Sequence, residues 1–303
     1  MSERSLTGNI AIKVDKLHSD LIKNKNITVS MLRLDKIHPI VSGNKIFKLF
    51  YFLEEAKNST HKKIITFGGA FSNHLASSSF ACKISGIKSI GFVRGKIPAI
   101  LSHTLQYCIQ NGMQLEFINR TGYKKINEIE FKDELKKRFG DHTLIPEGGF
   151  SVKGVKGAEM IGNFYNQGVY SHVCCPIGTA TTFAGLIQAS RDNKVIGFSV
   201  LKNLNDINQR LQFLNIPPTM VHEVINDYHF GGYAKENGDL FSFMNLFYEE
   251  NKIPLDFVYT AKMMFGVYDL VKNNYFPHGS NILCIHTGGL QGNKSLPTGK
   301  LKY

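Results

Sequence analysis

Two lysines three residues apart stand at the start of an apolar run and could carry amine chemistry. Residues 42–49 read SGNKIFKL, which puts Lys45 and Lys48 at the beginning of a predicted helix with one of them pointing inward. Shelter from water disfavours the ammonium form of a lysine, and a free amine is what imine chemistry requires. The same pattern also fits a surface lysine whose stem lies along the protein while its ammonium stays in water.

A second candidate segment, residues 174–185, reads CCPIGTATTFAG and suits a phosphate. An apolar strand precedes this loop and a helix follows it, so free backbone N–H groups and threonine hydroxyls converge where the helix dipole is positive. The loop matches neither GxGxxG nor GxxxxGK[ST], so no motif supports a dinucleotide or a nucleoside triphosphate. An ordinary threonine-capped helix start would have the same sequence.

A third segment, residues 67–74, reads FGGAFSNH and has the same order of strand, glycines and helix. Ser72 or Asn73 is the expected N-cap, and a small anion such as a carboxylate could bind there. The alternative is that the two glycines only shape a turn and that Ser72 only caps the helix.

These three segments must be positioned by the surrounding elements, which alternate between short apolar strands and helices. One series has strands at residues 63–67, 89–93, 114–118 and 143–145 and helices at residues 72–85, 100–111 and 124–139. The other has strands at residues 171–175, 195–200, 220–224 and 281–285 and helices at residues 181–189, 206–214 and 260–272. This alternation is typical of parallel sheets with crossover helices, and it predicts an α/β protein of two lobes with a cleft between them.

Composition excludes several classes of function. The chain has 303 residues, 43% of them hydrophobic, and no apolar run near the ~20 residues of a membrane span, so we expect a cytoplasmic protein with a large core. Its net charge of +12 is spread along the chain, which favours solvated helix faces over a nucleic-acid-binding patch. The five cysteines and eleven histidines lack metal-site spacing, so we expect no metal and no disulfide. Residues 292–303 are predicted to be a loose tail.

Taken together, the motifs resemble one family of pyridoxal-phosphate enzymes of fold type II. The family is that of D-cysteine desulfhydrase and 1-aminocyclopropane-1-carboxylate deaminase, and the resemblance covers nearly the whole chain. It is carried by seven motifs in register: GNKxxKL at 43–49, GGxxSNH at 68–74, PEGG at 146–149, GTATT at 178–182, GGYAK at 231–235, VYTAK at 258–262 and IHTGG at 285–289.

The resemblance implies a set of cofactor contacts. Lys45 would be the Schiff-base lysine for pyridoxal 5′-phosphate, Lys48 would be structural, and Asn73 would hydrogen-bond the cofactor's 3′-oxygen. Thr287 would be the neutral hydroxyl partner of the pyridine nitrogen, a setting suited to elimination rather than transamination. The phosphate would be wrapped by five consecutive residues: Gly178, Thr179, Ala180, Thr181 and Thr182.

It also implies where the substrate, a small amino acid, would bind. Ser72 and the neighbouring backbone amides would receive its carboxylate, and Tyr259 would stand close to it, so these two residues join Lys45 as the expected catalytic set. Further substrate contacts are expected from Asn73, His74 and Thr260.

The implied architecture is similar to that of the tryptophan synthase β subunit. It has two mainly parallel sheets with helices on both faces, a larger cofactor-binding domain at residues 1–49 and 150–303, and a smaller α/β domain at residues 50–149. Family members are commonly homodimers, which sets the expectation for this chain.

The chain departs from the family pattern in three places. Residues 36–42 form a compact segment in which Ser42 replaces the first glycine of Gly-Gly-Asn-Lys, so the pocket rim would differ. The phosphate loop lacks the commoner second glycine. Thr260 and Thr287 stand where deaminases of the family have glutamate and leucine.

The last departure favours a lyase that performs α,β-elimination, with D-cysteine giving pyruvate, ammonia and sulfide. The first alternative is 1-aminocyclopropane-1-carboxylate deaminase, a hydrolase. An alternative of another class is a non-catalytic amino-acid-binding protein on the same fold, against which Lys45 argues, because a sensor needs no reactive amine. A nucleic-acid-binding module is the last alternative, and the widely spaced arginines do not favour it.

Overall fold

The structure, a computed structural model, describes residues 12–37 and 43–303, so most of the compact 36–42 segment lies outside the described residues. The strands are β1 Val14–Lys16, β2 Thr28–Leu32, β3 Lys63–Gly68, β4 Lys88–Arg94, β5 Gln114–Ile118, β6 Thr143–Ile145, β7 His172–Ile177, β8 Lys194–Ser199, β9 His222–Ile225 and β10 Asn281–Ile285. They form two sheets, as the two strand series predict.

The α-helices are α1 Asp20–Asn24, α2 Lys45–Asn58, α3 Asn73–Ile84, α4 His103–Gln110, α5 Arg120–Tyr123, α6 Ile129–Phe139, α7 Val152–Glu159, α8 Thr181–Ala189, α9 Ile207–Phe213, α10 Gly238–Asn251 and α11 Thr260–Lys272. Short 3-10 helices lie at Leu34–Lys36, Glu147–Gly149, Met160–Phe164, Gln167–Val169 and Leu290–Ser295. Among these residues no helix is long and apolar enough to cross a membrane.

The larger sheet has six strands in the order β1-β2-β10-β7-β8-β9, and the smaller has four in the order β5-β4-β3-β6. β1 runs antiparallel to β2, whereas every other pairing in both sheets is parallel. Their apolar strands are largely buried, as expected where helices cover a parallel sheet. The predicted α/β class with two mainly parallel sheets is confirmed.

Helix α2 belongs to both lobes. Near its start Phe47 packs in the core of the larger sheet with Leu32 and Ile285. Further along the same helix, Leu49 and Phe52 pack in the core of the smaller sheet. The predicted domain boundary at residues 49 and 50 therefore falls inside a helix that bridges the two cores, and the division into two domains stays a proposal.

The C-terminal segment is not loose, contrary to the prediction. Tyr303 donates its hydroxyl to the carbonyl of Leu255 at 2.7 Å, and the amide of Asn293 donates to the same carbonyl at 2.9 Å. The Tyr303 ring also packs 4.7 Å from the Tyr248 ring, centroid to centroid. These long-range contacts fix a polar segment whose composition alone indicates a tail.

Candidate active site

Lys45 is the first residue of α2, and its side chain reaches the space between the lobes. Its Nζ donates to Asn44 Oδ1 at 2.7 Å and lies 5.7 Å from the centroid of the Tyr259 ring. Burial lowers the pKa of Lys45 to about 8, against the opposing effect of the Asp256 carboxylate. Roughly 10% of this side chain is therefore a free amine at pH 7, far more than for an exposed lysine.

Lys48, three residues further along α2, also points inward. Its side chain is 4% exposed, and its Nζ lies 3.5 Å from Thr179 Oγ1. Burial, and then the charge of Lys45, holds the pKa of Lys48 well below its usual value. Both residues are enclosed because the start of α2 is packed between two cores rather than lying on a surface.

The loop from β7 to α8 has the geometry of an anion site. β7 ends at Ile177 and α8 begins at Thr181, so the first N–H groups of α8 have no carbonyl partner within the helix. Ala180, the N-cap, has φ = +67°, a left-handed conformation that usually favours glycine. A second glycine in this loop would adopt that conformation without strain, but the chain has alanine at position 180.

Two side-chain contacts join this loop to the rest of the site. The side-chain amide of Asn44 donates from Nδ2 to Thr182 Oγ1 at 2.7 Å, which ties the start of α8 to the residue before Lys45. The hydroxyl oxygens of Thr179 and Thr181 lie 3.1 Å apart. The carbonyl of Gly178 accepts a hydrogen bond from Arg210 Nη1 at 3.3 Å.

The start of α3 carries two buried polar atoms without a partner in the described chain, Asn73 Oδ1 and His74 Nδ1. Ser72 is the N-cap, as predicted, and its Oγ accepts from the Leu75 N–H at 3.2 Å. The Thr66 hydroxyl donates to the carbonyl of Ile145 at 3.0 Å, so it accepts from His74 Nε2 at 2.9 Å. His74 Nδ1 consequently holds a free lone pair in the neutral ring.

The charge state of His74 follows from where it lies. Burial, and then the positive charges of Lys48 and Lys45, hold the pKa of His74 well below its usual value. The ring is therefore neutral, and both lysines are close enough for their charges to act on it.

Asp256 is a fully buried carboxylate that sequence reasoning missed. It caps α11 by accepting from the N–H groups of Tyr259 at 2.8 Å and Thr260 at 2.9 Å. The Thr260 hydroxyl donates to Asp256 Oδ1 at 2.7 Å and accepts from the Asp256 N–H at 2.8 Å. Thr260 is fully buried, and its hydroxyl is already hydrogen-bonded to Asp256. The predicted contact between Thr260 and a substrate stays a prediction.

Thr287 follows β10 and is 3% exposed. The Thr287 carbonyl accepts from the Asn44 N–H at 3.3 Å. The carbonyl oxygen would lie only 1.9 Å from a Cβ at position 43, so only glycine fits there. A Cβ on Gly289 would likewise lie 2.9 Å from Asn73 Nδ2. The residues that follow β10 thus pack directly against the starts of α2 and α3.

A pair of tyrosines borders Lys45. The Tyr259 hydroxyl lies 3.4 Å from the Tyr233 hydroxyl, and the two rings meet nearly edge to face, 5.9 Å apart. Burial, and then the neighbouring Tyr233, raise the pKa of Tyr259 well above its usual value, so this phenol stays protonated. Tyr233 lies in the GGYAK motif, which was noticed in the sequence without a role for the tyrosine.

The structure therefore brings Lys45, Tyr259, the 178–182 loop and the start of α3 to one cleft. Two residues of this cleft were missed: Asp256, which has no local signal of function, and Tyr233, whose only local signal is the GGYAK motif. Asp256 is an isolated acidic residue in NKIPLDFVY, and only the fold shows that it caps α11. Tyr233 becomes recognisable through its contact with Tyr259, which is 26 positions away.

Comparison with known proteins agrees with this architecture. The family model described as pyridoxal-phosphate dependent enzyme matches residues 17–288. A relative from Thermotoga maritima with the provisional name 1-aminocyclopropane-1-carboxylate deaminase is 28% identical over 293 residues, which cover 90% of this chain and 92% of the relative. One from Pyrococcus horikoshii with the same provisional name is 28% identical over 271 residues, covering 83% of this chain and 81% of the relative.

Solved structures show the same fold. The crystal structure of an ACC deaminase homologue superposes with a TM-score of 0.77 at 25% identity, covering 96% of this chain and 95% of that one. A hydrogen sulfide-producing enzyme from Fusobacterium nucleatum, at 14% identity and a TM-score of 0.68, covers 95% of this chain and 97% of its own and shows the fold alone. The expected fold type II architecture is confirmed.

The residues present fit pyridoxal phosphate. The cofactor needs an amine for its aldehyde, and Lys45 has a pKa lowered to about 8. Its phosphate needs N–H and hydroxyl donors, which the start of α8 offers. The buried, unpartnered Oδ1 of Asn73 shows a polar group at the cleft that the chain itself does not satisfy.

Proposed function

The chain belongs to the pyridoxal-phosphate-dependent enzyme family, and from this premise we propose that it is a lyase that performs α,β-elimination on a small amino acid such as D-cysteine. With water consumed, D-cysteine would give pyruvate, ammonia and hydrogen sulfide. The observation that carries the proposal is the buried, neutral side chain of Thr287 at the end of β10, where the resemblance expects the partner of the cofactor's ring nitrogen.

When bound, pyridoxal phosphate supplies an electron sink for negative charge at the substrate's α-carbon. Lys45 would hold it covalently, the 178–182 loop would hold its phosphate and Asn73 its 3′-oxygen. Ser72 and the first amides of α3 would bind the substrate carboxylate, and the neutral His74 would accept a hydrogen bond from an N–H or O–H donor of the substrate.

Proton transfer would fall to Lys45 and Tyr259. With its pKa lowered to about 8, Lys45 Nζ can take the α-proton near neutral pH. Tyr259, whose pKa is raised well above the usual value, keeps its proton and can donate a hydrogen bond to the departing β-substituent. The two groups are close together, with Nζ 5.7 Å from the ring centroid.

Opening of the cyclopropane amino acid is the second candidate, because two relatives carry the provisional name of that deaminase. The family resemblance implies that such deaminases have glutamate at the position of Thr260. In this chain Thr260 lies against the Asp256 carboxylate, 2.7 Å from Oδ1, so a glutamate there would bury a second negative charge beside the first. This argues for elimination over ring opening.

A substrate panel on purified, cofactor-loaded protein tests the proposal. The panel contains D-cysteine, L-cysteine, D-serine, β-chloro-D-alanine and the cyclopropane amino acid, with keto acid and sulfide both measured, and Lys45→Ala protein is the control. We expect sulfide from D-cysteine to exceed ammonia from the cyclopropane compound by roughly tenfold or more. Protein that opens the ring readily and ignores D-cysteine would overturn the choice of substrate.

We also propose that the protein is a cytoplasmic homodimer. The five cysteines are all free and buried, as expected in a reducing compartment, and the dimer rests on the family resemblance. Light scattering on the cofactor-loaded protein distinguishes dimer from monomer.

A further inference from the structure

Lys262 is an entirely buried lysine outside the cofactor-binding set. It lies in the first turn of α11, and its side chain is 0% exposed. Its Nζ donates to the carbonyl of His229 at 2.8 Å and to the carbonyl of Gly232 at 2.7 Å. Both carbonyls belong to the segment that we call the tyrosine loop, residues 229–235.

The tyrosine loop consists of two consecutive turns. The Gly232 N–H donates to the His229 carbonyl at 3.0 Å, and the Lys235 N–H donates to the Gly232 carbonyl at 3.1 Å. The carbonyl that closes each turn is therefore the one that also accepts from Lys262. A single ammonium thus fixes the orientation of both turns relative to α11.

The loop's backbone needs such a support. Phe230 has φ = +52° and Ala234 has φ = +54°, two left-handed conformations that side-chain-bearing residues rarely adopt. Strained backbone persists only where surrounding contacts determine it. Besides Lys262, α11 contacts the loop through Phe265, whose ring packs edge-on to Phe230 at 4.9 Å.

Between these strained residues stands Tyr233, whose hydroxyl meets that of Tyr259 at 3.4 Å. We propose that Lys262 is a positioning residue, a buried clamp that holds the tyrosine loop so that Tyr233 closes against Tyr259 beside Lys45. The functional part of this inference rests on the proposed function, because it takes the tyrosine pair as a wall of the substrate site.

Hydrogen exchange tests the clamp without any reaction. Lys262→Met keeps the length of the apolar stem and removes the donors, and Lys272→Met, an exposed lysine at the end of the same helix, is the matched control. On cofactor-loaded protein we expect amides of residues 229–235 to exchange about tenfold faster or more in Lys262→Met and unchanged in the control. Equal protection in both variants would overturn the clamp.

A double-mutant cycle tests the positioning role. If Lys262 acts through Tyr233, the fold-increase that Lys262→Met causes in KM for the best panel substrate should be about ten times the fold-change in kcat. The increase in KM should disappear when Lys262→Met is made in a Tyr233→Phe background. If the effects of Lys262→Met and Tyr233→Phe on KM simply multiply in the double variant, Lys262 does not act through Tyr233. That result would overturn the positioning role even if the amides of the tyrosine loop exchange faster. If no panel substrate reacts, the proposed function fails while exchange still decides the clamp. Should Lys262→Met not fold, Lys262→Gln replaces it and the same outcomes apply.

Discussion

The lowered pKa of Lys45 predicts how fast the protein couples to its cofactor at different pH values. Only the free amine attacks an aldehyde, so the rate follows the unprotonated fraction of Nζ. With a pKa of about 8, that fraction is roughly 10% at pH 7 and roughly 90% at pH 9, whereas an exposed lysine at 10.4 would have ~0.04% and ~4%. The sign is fixed by burial, which disfavours the charged form and outweighs the attraction of Asp256.

The assay mixes cofactor-free protein with pyridoxal phosphate, quenches with borohydride at intervals and maps the labelled peptide. We expect label on Lys45 with a rate that rises about tenfold from pH 7 to pH 9 and then levels off. Asp256→Asn, which removes the opposing carboxylate, should move the midpoint to lower pH. Label on Lys48 instead, or a Lys45 rate that still climbs tenfold per pH unit above pH 9, would refute the reasoning.

Three further changes follow from the contacts around the cleft. Thr182→Val removes the acceptor of Asn44 and a donor of the phosphate loop, so we expect a stability loss of about 1–3 kcal/mol in urea unfolding and weaker cofactor retention in dialysis; unchanged retention would contradict the loop assignment. Gly43→Ala should lower the free energy of unfolding by more than about 3 kcal/mol, whereas Gly86→Ala, also at positive φ but with no atom within 4 Å, should lose only about 1–2 kcal/mol. Thr287→Leu should narrow the ratio of sulfide release to ring opening in the substrate panel, and an unaltered ratio would remove Thr287 from the determinants of reaction type.

Regular elements close to a motif were predictable from sequence. The helix expected at residues 260–272 is observed as Thr260–Lys272, and the strand expected at residues 63–67 as Lys63–Gly68. Both are apolar segments in which most residues are buried, so local sequence pattern and tertiary packing favour the same structure.

What sequence could not predict depends on contacts between distant segments. α10, Gly238–Asn251, was not predicted, although Asn237 caps it by accepting from the Leu240 N–H. Asp256 and Tyr233 gain significance only when α11 and the tyrosine loop meet. The supposed tail is fixed by hydrogen bonds to Leu255, which composition cannot reveal.

The start of α2 shows how local stability and the site oppose each other. Its first turn has two lysines and no acidic residue, and Asn44 provides no side-chain cap. Each cation at the positive end of a helix costs about 0.3–1 kcal/mol, and a missing cap about 0.5–2 kcal/mol. The Asn44 side chain instead binds Thr182 and Lys45. Packing of Phe47 in one core and Phe52 in the other must therefore hold the helix. The helix dipole disfavours an ammonium group at this end of the helix. On Lys45 it therefore acts in the same direction as burial, toward the free amine that cofactor attachment needs.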